Sequence, residues 1–386
     1  MELVKELPEI FEQLEEQKRE SFLEIKKYKD KGIPVIGAYC SYFPREIAMA
    51  MGAVSVGLCS SSNDTALIAE KTLPSGICPL IKSSYGYAVS DKCPFFYFSD
   101  IIVGETTCDG KKKMYELLSE FKEVYTMELP SRQSEGGLAL WKQEIIKFKE
   151  YLEDKFRIVI TDEMLRRAVA DSNRNRKALK CLYEVMKLDP PPMMGKDLFK
   201  VMYGSKYQFD YETVEEQLIQ LREKILERYE SNPKMDKRPR IVVTGCPMGG
   251  DSEKVIDAIE SNGGVVVAFE NCTGAKAMDR LVDESAEDIY QALAERYLAT
   301  GCAIMTPNDN RIELLGRLID EFKADAVVEM VLYGCHSTSI ESVSVRHFVA
   351  EEKHIPYMDI MTDFSQADIA QLNTRVAAFV EMLKEK

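Results

Sequence analysis

The chain has 386 residues, with 50 Lys and Arg against 64 Asp and Glu, so its formal charge is −14. Its 45% hydrophobic and 30% charged residues describe a chain that can bury a sizeable core, not a disordered one. The acidic balance excludes nucleic acid and anionic membrane as main partners, and no run approaches the roughly 20 apolar residues a spanning helix needs. At about 150 residues per domain, the length predicts two or three domains. The acidic, amphipathic N-terminus resembles neither a signal nor a transit peptide, so the expected location is cytoplasmic.

In chain order, Leu3, Leu7, Ile10, Phe11 and Leu14 recur at helical spacing and predict an N-terminal helix. Residues 33–39 read as a short buried strand, and Pro44 opens a helix reaching about Met51. A second strand follows over 53–58, a short helix over 79–87 and a third strand at 101–103. A helix from Gly110 and a fourth strand over 124–127 complete the first alternation. From Trp141 to about Asn232 the pattern becomes long charged helices, which Pro190, Pro191 and Pro192 must interrupt. Alternation then restarts, with strands at 241–243, 264–269, 326–332 and 357–360 and helices over 251–261 and 367–383. Strands alternating with helices predict an α/β fold. The expectation is two doubly wound parallel-sheet (Rossmann-like) domains with a helical connector. Residues 1–140 hold the N-terminal helix and first α/β domain, 141–238 the connector, and 239–386 the second α/β domain with its C-terminal helix.

Ten cysteines stand out in a chain expected to occupy a reducing compartment. A single such cysteine is ordinarily a small buried hydrophobe. Here, however, Cys40, Cys59 and Cys108 follow the first three strands of the first half. Cys246, Cys272 and Cys335 follow the matching strands of the second. Ligands bind outside the carboxyl ends of parallel strands, so six cysteines at those ends suggest one shared purpose. Cys78, in Gly76-Ile77-Cys78-Pro79, adds a seventh at a predicted helix start, where free N–H groups favour a thiolate. Zinc sites usually show C-x₂-C pairs and local histidines. This chain has no such pair, and its three histidines (His336, His347, His354) all fall late. Thiolates gathered from several strand ends suit an iron–sulfur cluster between two domains; zinc, a redox dithiol and structural thiols remain as alternatives.

Other signals are weaker. Thr244-Gly245-Cys246-Pro247-Met248-Gly249-Gly250, with Glu270 ending the next strand, partly matches a dinucleotide-binding turn, but the glycine order is wrong. No Walker A sequence occurs, so ATP chemistry would need another protein. Lys111, Lys112 and Lys113 read as a solvated face with phosphate binding as the alternative. Adjacent side chains diverge, which argues against Cys335 and His336 as a nucleophile–base pair.

Three segments carry a family resemblance: Leu73-Pro-Ser-Gly-Ile-Cys78-Pro-Leu-Ile-Lys82-Ser-Ser-Tyr-Gly86, Gly104-Glu-Thr-Thr-Cys108-Asp-Gly-Lys-Lys-Lys-Met-Tyr115, and Tyr333-Gly-Cys335-His336-Ser337. They resemble the 2-hydroxyacyl-CoA dehydratase and benzoyl-CoA reductase superfamily, over nearly the whole chain. The resemblance implies a [4Fe-4S] cluster on Cys78, Cys108 and Cys335, and a separate ATPase activator with its own [4Fe-4S] cluster as electron donor. The segments around Cys40, Cys246 and Cys272 look more like the double-cubane branch, in which two cubanes share a sulfide as [8Fe-9S]. That branch implies a second ligand set, expected here as Cys40, Cys246 and Cys272, with Cys59, Cys93 and Cys302 in reserve and more structural in character. It also implies a homodimer that reduces small-molecule substrates, with no CoA ester required. Lys82 and His336 are the candidates for proton delivery or sulfide contacts, and Ser83 and Ser84 for hydrogen bonds to cluster sulfurs or for helix capping. The alternatives are a dehydratase subunit with one [4Fe-4S] cluster, working with a second homologous chain, and a non-catalytic electron carrier.

Overall fold

The computed structural model describes residues 20–232 and 234–385. The expected helix carrying Leu3 to Leu14 lies outside the described residues; residues 20–30 are helical. Eight strands follow: β1 (Val35–Ala38), β2 (Val54–Gly57), β3 (Ile101–Glu105), β4 (Val124–Met127), β5 (Arg240–Gly245), β6 (Val265–Phe269), β7 (Ala326–Leu332) and β8 (Tyr357–Thr362). They form two all-parallel, four-stranded sheets in the same order, β2-β1-β3-β4 and β6-β5-β7-β8. The strand order reverses between β1 and β3 and again between β5 and β7, which opens a crevice at the carboxyl end of each sheet.

The central strands are buried along almost their whole length because helices cover both faces, and their few polar residues, Glu105, Arg240, Thr244 and Glu329, are buried with them. All seven residues of β7 and all five of β3 are buried, so no alternation of apolar and polar residues is visible in them. Pro44 stands immediately before the helix Arg45–Ala50, and Pro79 is the first residue of the helix Pro79–Val89. A proline there loses no intrahelical hydrogen bond. The triple proline ends a helical run as expected. The helix Asp162–Tyr183 tightens into a 3₁₀ turn, Glu184–Lys187, and helix resumes only at Gly195. The expected 251–261 helix opens as a 3₁₀ turn (Gly250–Glu253) before the α-helix Lys254–Ser261.

Two polar anchors tie the helices between the sheets to their surroundings. Arg240 of β5 buries its guanidinium against the carbonyls of Met186, Leu188 and Phe322 at 2.7–2.9 Å. Burial of such a group is tolerable only with its donors satisfied. The second anchor crosses the molecule. Glu46, fully buried, meets Arg176 at 2.6 Å, Ser172 at 2.7 Å and Tyr297 at 2.6 Å. Residues 282–305 follow β6 yet pack into the core of the first sheet, around Trp141, Phe148 and Ile145. The two sheets are thereby interlocked, and their carboxyl ends face each other. The Asp251 amide donates to the Ser61 carbonyl at 2.9 Å, and the Asn63 amide to the Asp251 carboxylate at 2.8 Å.

Candidate cluster site between the two sheets

The site begins with three helix starts. Cys78, Cys108 and Cys335 are the residues immediately preceding the helices Pro79–Val89, Asp109–Leu118 and His336–His347. The first N–H groups of a helix have no partner within it and carry partial positive charge. The Cys78 thiol lies within reach of the Leu80 and Ile81 amides, and the Cys335 thiol within reach of the Thr338 amide, in the first turns of their helices. The helices that start at Cys78 and Cys108 pack side by side. Cys335 reaches the same place from the second sheet through Gly334, at φ +73°. A Cβ there would lie 2.7 Å from the Gly76 carbonyl oxygen and 3.1 Å from the Cys78 nitrogen. Only glycine allows both that backbone conformation and that approach.

Cys335 lies within hydrogen-bond reach of both Cys78 and Cys246, and its Sγ is 3.2 Å from Thr338 Oγ1. Hydrogen bonds from Cys246 and Cys78, with help from Thr338, hold the Cys335 thiol well below the ordinary value despite burial. Both donors are pushed up by the same hydrogen bonds and by burial. A set of thiols that shares charge in this way is ready to present thiolate to a metal. Cys246 is positioned by Gly245, whose φ of +106° lets the chain turn back so that the Cys246 amide donates to Met330 O at 2.8 Å.

A second group forms on the other side of the crevice. Cys40, Cys272 and Cys302 lie within electrostatic reach of one another. Tyr42 links their segments by donating to the Thr300 carbonyl at 2.7 Å. Burial pushes the Cys40 and Cys302 thiols up. The Cys272 turn is held by Asn271 Oδ1, which accepts from the amides of Thr273 and Gly274 at 3.0 and 3.2 Å. Cys246, expected with Cys40 and Cys272, thus stands with Cys78 and Cys335, and Cys302 takes the place beside Cys40 and Cys272. Sequence could not show this, because Cys302 sits in the segment that crosses into the first core. The other cysteines have local explanations. Cys93 accepts from the Phe96 amide at 3.3 Å, Cys59 donates to Tyr39 O at 2.8 Å, and Cys181 is exposed.

The candidate proton carriers are placed as follows. Lys82 Nζ is held by Glu70 at 2.8 Å and the Ser75 carbonyl at 2.9 Å, which latches the loop leading to Cys78. His336 is exposed beside Cys335. Ser83 and Ser84 accept from the amides of Ser62 and Ser60, so their hydroxyls shape the loop after β2. Lys112 and Lys113 are solvated and paired with Asp109 and Glu116. Lys111 differs: it is buried, 2.8 Å from the Tyr39 carbonyl and 3.5 Å from Cys59 Sγ. Glu270, the acid of the dinucleotide-like signal, is fully buried against Lys276 (2.9 Å), Arg311 (3.4 Å) and Thr244 (2.6 Å). That carboxylate is consumed by ion pairs. Arg311 also meets Glu329 at 2.8 Å. Nothing in the residue spacing marks Lys276 or Arg311, since each is an ordinary cation in an amphipathic stretch.

Two observations bear on what the site holds. Among the described residues, no three His, Cys, Asp or Glu side chains gather as tightly as a single metal ion requires. Buried polar atoms near the crevice also lack partners: both carboxylate oxygens of Glu105, the hydroxyls of Thr107 and Tyr115, and Asn271 Nδ2. Native interiors rarely leave such atoms unpaired. The thiols, the three helix starts and the free donors among these atoms (the Thr107 and Tyr115 hydroxyls and Asn271 Nδ2) suit a large anionic group, whereas the Glu105 oxygens can only accept.

Residues 40–383 match the family described as 2-hydroxyglutaryl-CoA dehydratase, D-component. The chain is 48% identical to the putative dehydratase subunit YjiM of Escherichia coli K12, across 99% of this chain and 100% of that protein. It is 24% identical to the (R)-phenyllactyl-CoA dehydratase beta subunit of Clostridium sporogenes, across 93% and 94%. A benzoyl-CoA reductase subunit of Thauera aromatica is 21% identical, across 93% of each chain. The chain belongs to the 2-hydroxyacyl-CoA dehydratase and benzoyl-CoA reductase superfamily. Its relatives are subunits of dehydratases and reductases, and it is an enzyme subunit of that type. Among the described residues no helix is long and apolar enough to cross a membrane.

Proposed function

We propose that this chain is a cytoplasmic iron–sulfur reductase whose crevice carries a double-cubane [8Fe-9S] cluster and whose small-molecule substrate is reduced at low potential. Cys78, Cys108 and Cys335 would hold one cubane, with Cys246 donating a hydrogen bond to Cys335. Cys40, Cys272 and Cys302 would hold the other. Such a cluster supplies one-electron reduction at low potential, tuned by hydrogen bonds to its sulfurs. The protein would contribute three helix N-termini, which stabilise added negative charge, and the crevice between the interlocked sheets. The chain has no phosphate-binding loop. Electrons would accordingly come from a separate ATP-hydrolysing activator with its own [4Fe-4S] cluster, and a homodimer would present two such sites.

The observation that carries this reading is the presence of two thiol groups rather than one, drawn from both sheets. The alternative is a 2-hydroxyacyl-CoA dehydratase subunit with one [4Fe-4S] cluster on Cys78, Cys108 and Cys335; the names of the relatives favour it. Iron and acid-labile sulfide determined on anaerobically purified protein decide between them. About eight irons per chain is the expected result, from the composition of the cluster. A reproducible value near four overturns the double cubane and supports the dehydratase.

A further inference from the structure

A cavity of about 300 Å³ opens beside Cys40, Cys59 and Cys272, between the two sheets. Its wall includes five cations, Arg45, Lys111, Arg176, Lys206 and Arg296, and no carboxylate. In a chain of net charge −14 this is a strong local reversal, and a cleft lined by one sign of charge concentrates the opposite ion. Three of the cations are already engaged. Arg176 is paired with Glu46, Arg45 donates to Ser172, and Arg296 donates to the carbonyls of Ala277 and Arg280. Lys111 and Lys206 are different. Lys111 donates to the Tyr39 carbonyl at 2.8 Å and lies 3.5 Å from Cys59 Sγ, with the buried Glu105 carboxylate within electrostatic reach; Lys206 donates to the Cys272 carbonyl at 3.0 Å, and neither makes a salt bridge among the described residues. An ammonium group has three donors, so each retains capacity for a further acceptor. Tyr39, Tyr203 and Tyr207 supply aromatic surface between them.

We propose that this cavity binds a small free carboxylate, its charged end held by Lys111 and Lys206 and its carbon body against the tyrosines. Two point-charge amines beside aromatic faces suit a compact organic acid. At roughly 30 Å³ per small polar group the space takes at most on the order of ten heavy atoms, and fewer where a cubane on Cys40 and Cys272 would extend into it. The nucleotide and pantetheine arm of a CoA thioester exceeds it. A thioester carbonyl is also neutral and gains little from two ammonium groups. A role for this acid as the substrate rests on the cluster reading above, because the cavity adjoins Cys40 and Cys272; the binding itself does not.

The test is calorimetric titration of the anaerobic full-length protein with acetate, benzoate, inorganic phosphate and coenzyme A, with iron and sulfide measured on the same samples. Acetate and benzoate should bind, and Lys206→Gln should weaken both by about tenfold, the loss expected for one charge-assisted hydrogen bond. Lys206→Arg should restore most of that loss. Lys206 lies at the exposed mouth, so its replacement does not threaten folding as Lys111→Met would. Failure of both acids to bind, phosphate or coenzyme A binding more tightly than benzoate, or unchanged benzoate affinity in Lys206→Gln overturns the proposal. Loss of iron in Lys206→Gln also overturns it, because the lysine would then serve the thiolates. Iron-free protein that still binds benzoate keeps the carboxylate site while removing the cluster, and iron-loaded protein that binds neither acid does the reverse.

Discussion

Gly334 lies against Cys78: a side chain at Gly334 would meet the Cys78 nitrogen at 3.1 Å and the Gly76 carbonyl oxygen at 2.7 Å. This contact joins the third strand end of the second sheet to a helix start of the first. Gly334→Ala should therefore separate Cys335 from Cys78. The positive φ alone costs about 1–2 kcal/mol, and the backbone overlap adds to it. Iron content per chain and the unfolding midpoint should both fall; unchanged iron content would mean that the two cysteines do not share a ligand.

The cysteines should divide by group. Cys78→Ser, Cys108→Ser and Cys335→Ser should lose iron from one cubane, and Cys302→Ser from the other. Cys181→Ser, at an exposed position, should keep full iron and sulfide. Cys302 separates the geometric grouping from the strand-end grouping. If Cys302→Ser retains all its iron while Cys246→Ser loses half, the second set is the one expected from strand ends.

Glu46 predicts an acid-sensitive fold. Burial alone would raise its pKa, but Arg176, Arg45 and the Tyr297 hydroxyl hold it at about 2, against an ordinary 4.5. A depressed carboxylate stabilises the native state above its unfolded pKa, and the stabilisation is lost as pH falls through the folded one. Near neutral pH the group contributes about 3 kcal/mol, and that should disappear between about pH 5 and 2. Urea titrations of Glu46→Gln against the unaltered protein should show a gap that closes across this window. Arg176→Met should cost more, about 3–5 kcal/mol, because it leaves a buried carboxylate unpaired. A pH-independent gap for Glu46→Gln would contradict the pairing.

Lys82 should behave as a latch. It closes the 70–82 loop through Glu70 and the Ser75 carbonyl. Lys82→Met should lower the unfolding midpoint and loosen the Cys78 loop, at a cost of about 1 kcal/mol for a partly exposed pair. The pH profile of any reduction should keep its shape. A displaced profile would make Lys82 the proton donor that the sequence suggests.

How much of the molecule is legible in its sequence follows from the range of each interaction. The strands and the triple-proline break are readable because apolar runs, β-branched residues and proline act locally. Repetition of one plan in both halves is visible as well, and with it the placement of Cys40, Cys108, Cys246 and Cys335 at strand ends. Lys111 departs from the solvated face expected of it because its run of three lysines straddles a helix surface, where a single step turns a side chain from water into the crevice. The buried set of Glu270, Lys276, Arg311 and Glu329 leaves no trace either, since its members come from three separate segments.

By itself, then, the sequence determined the two parallel sheets, the thiols at their carboxyl ends and the family to which the chain belongs. Only the tertiary structure decided which thiols stand together. The parallel direction of the strands fixes the end of a sheet at which a cysteine emerges, but partnership between the sheets depends on Gly334 and on the crossing of residues 282–305. That crossing carries Cys302 to Cys40 and Cys272, and it depends on side chains distant in sequence, such as Glu46 with Tyr297 and Tyr42 with Thr300.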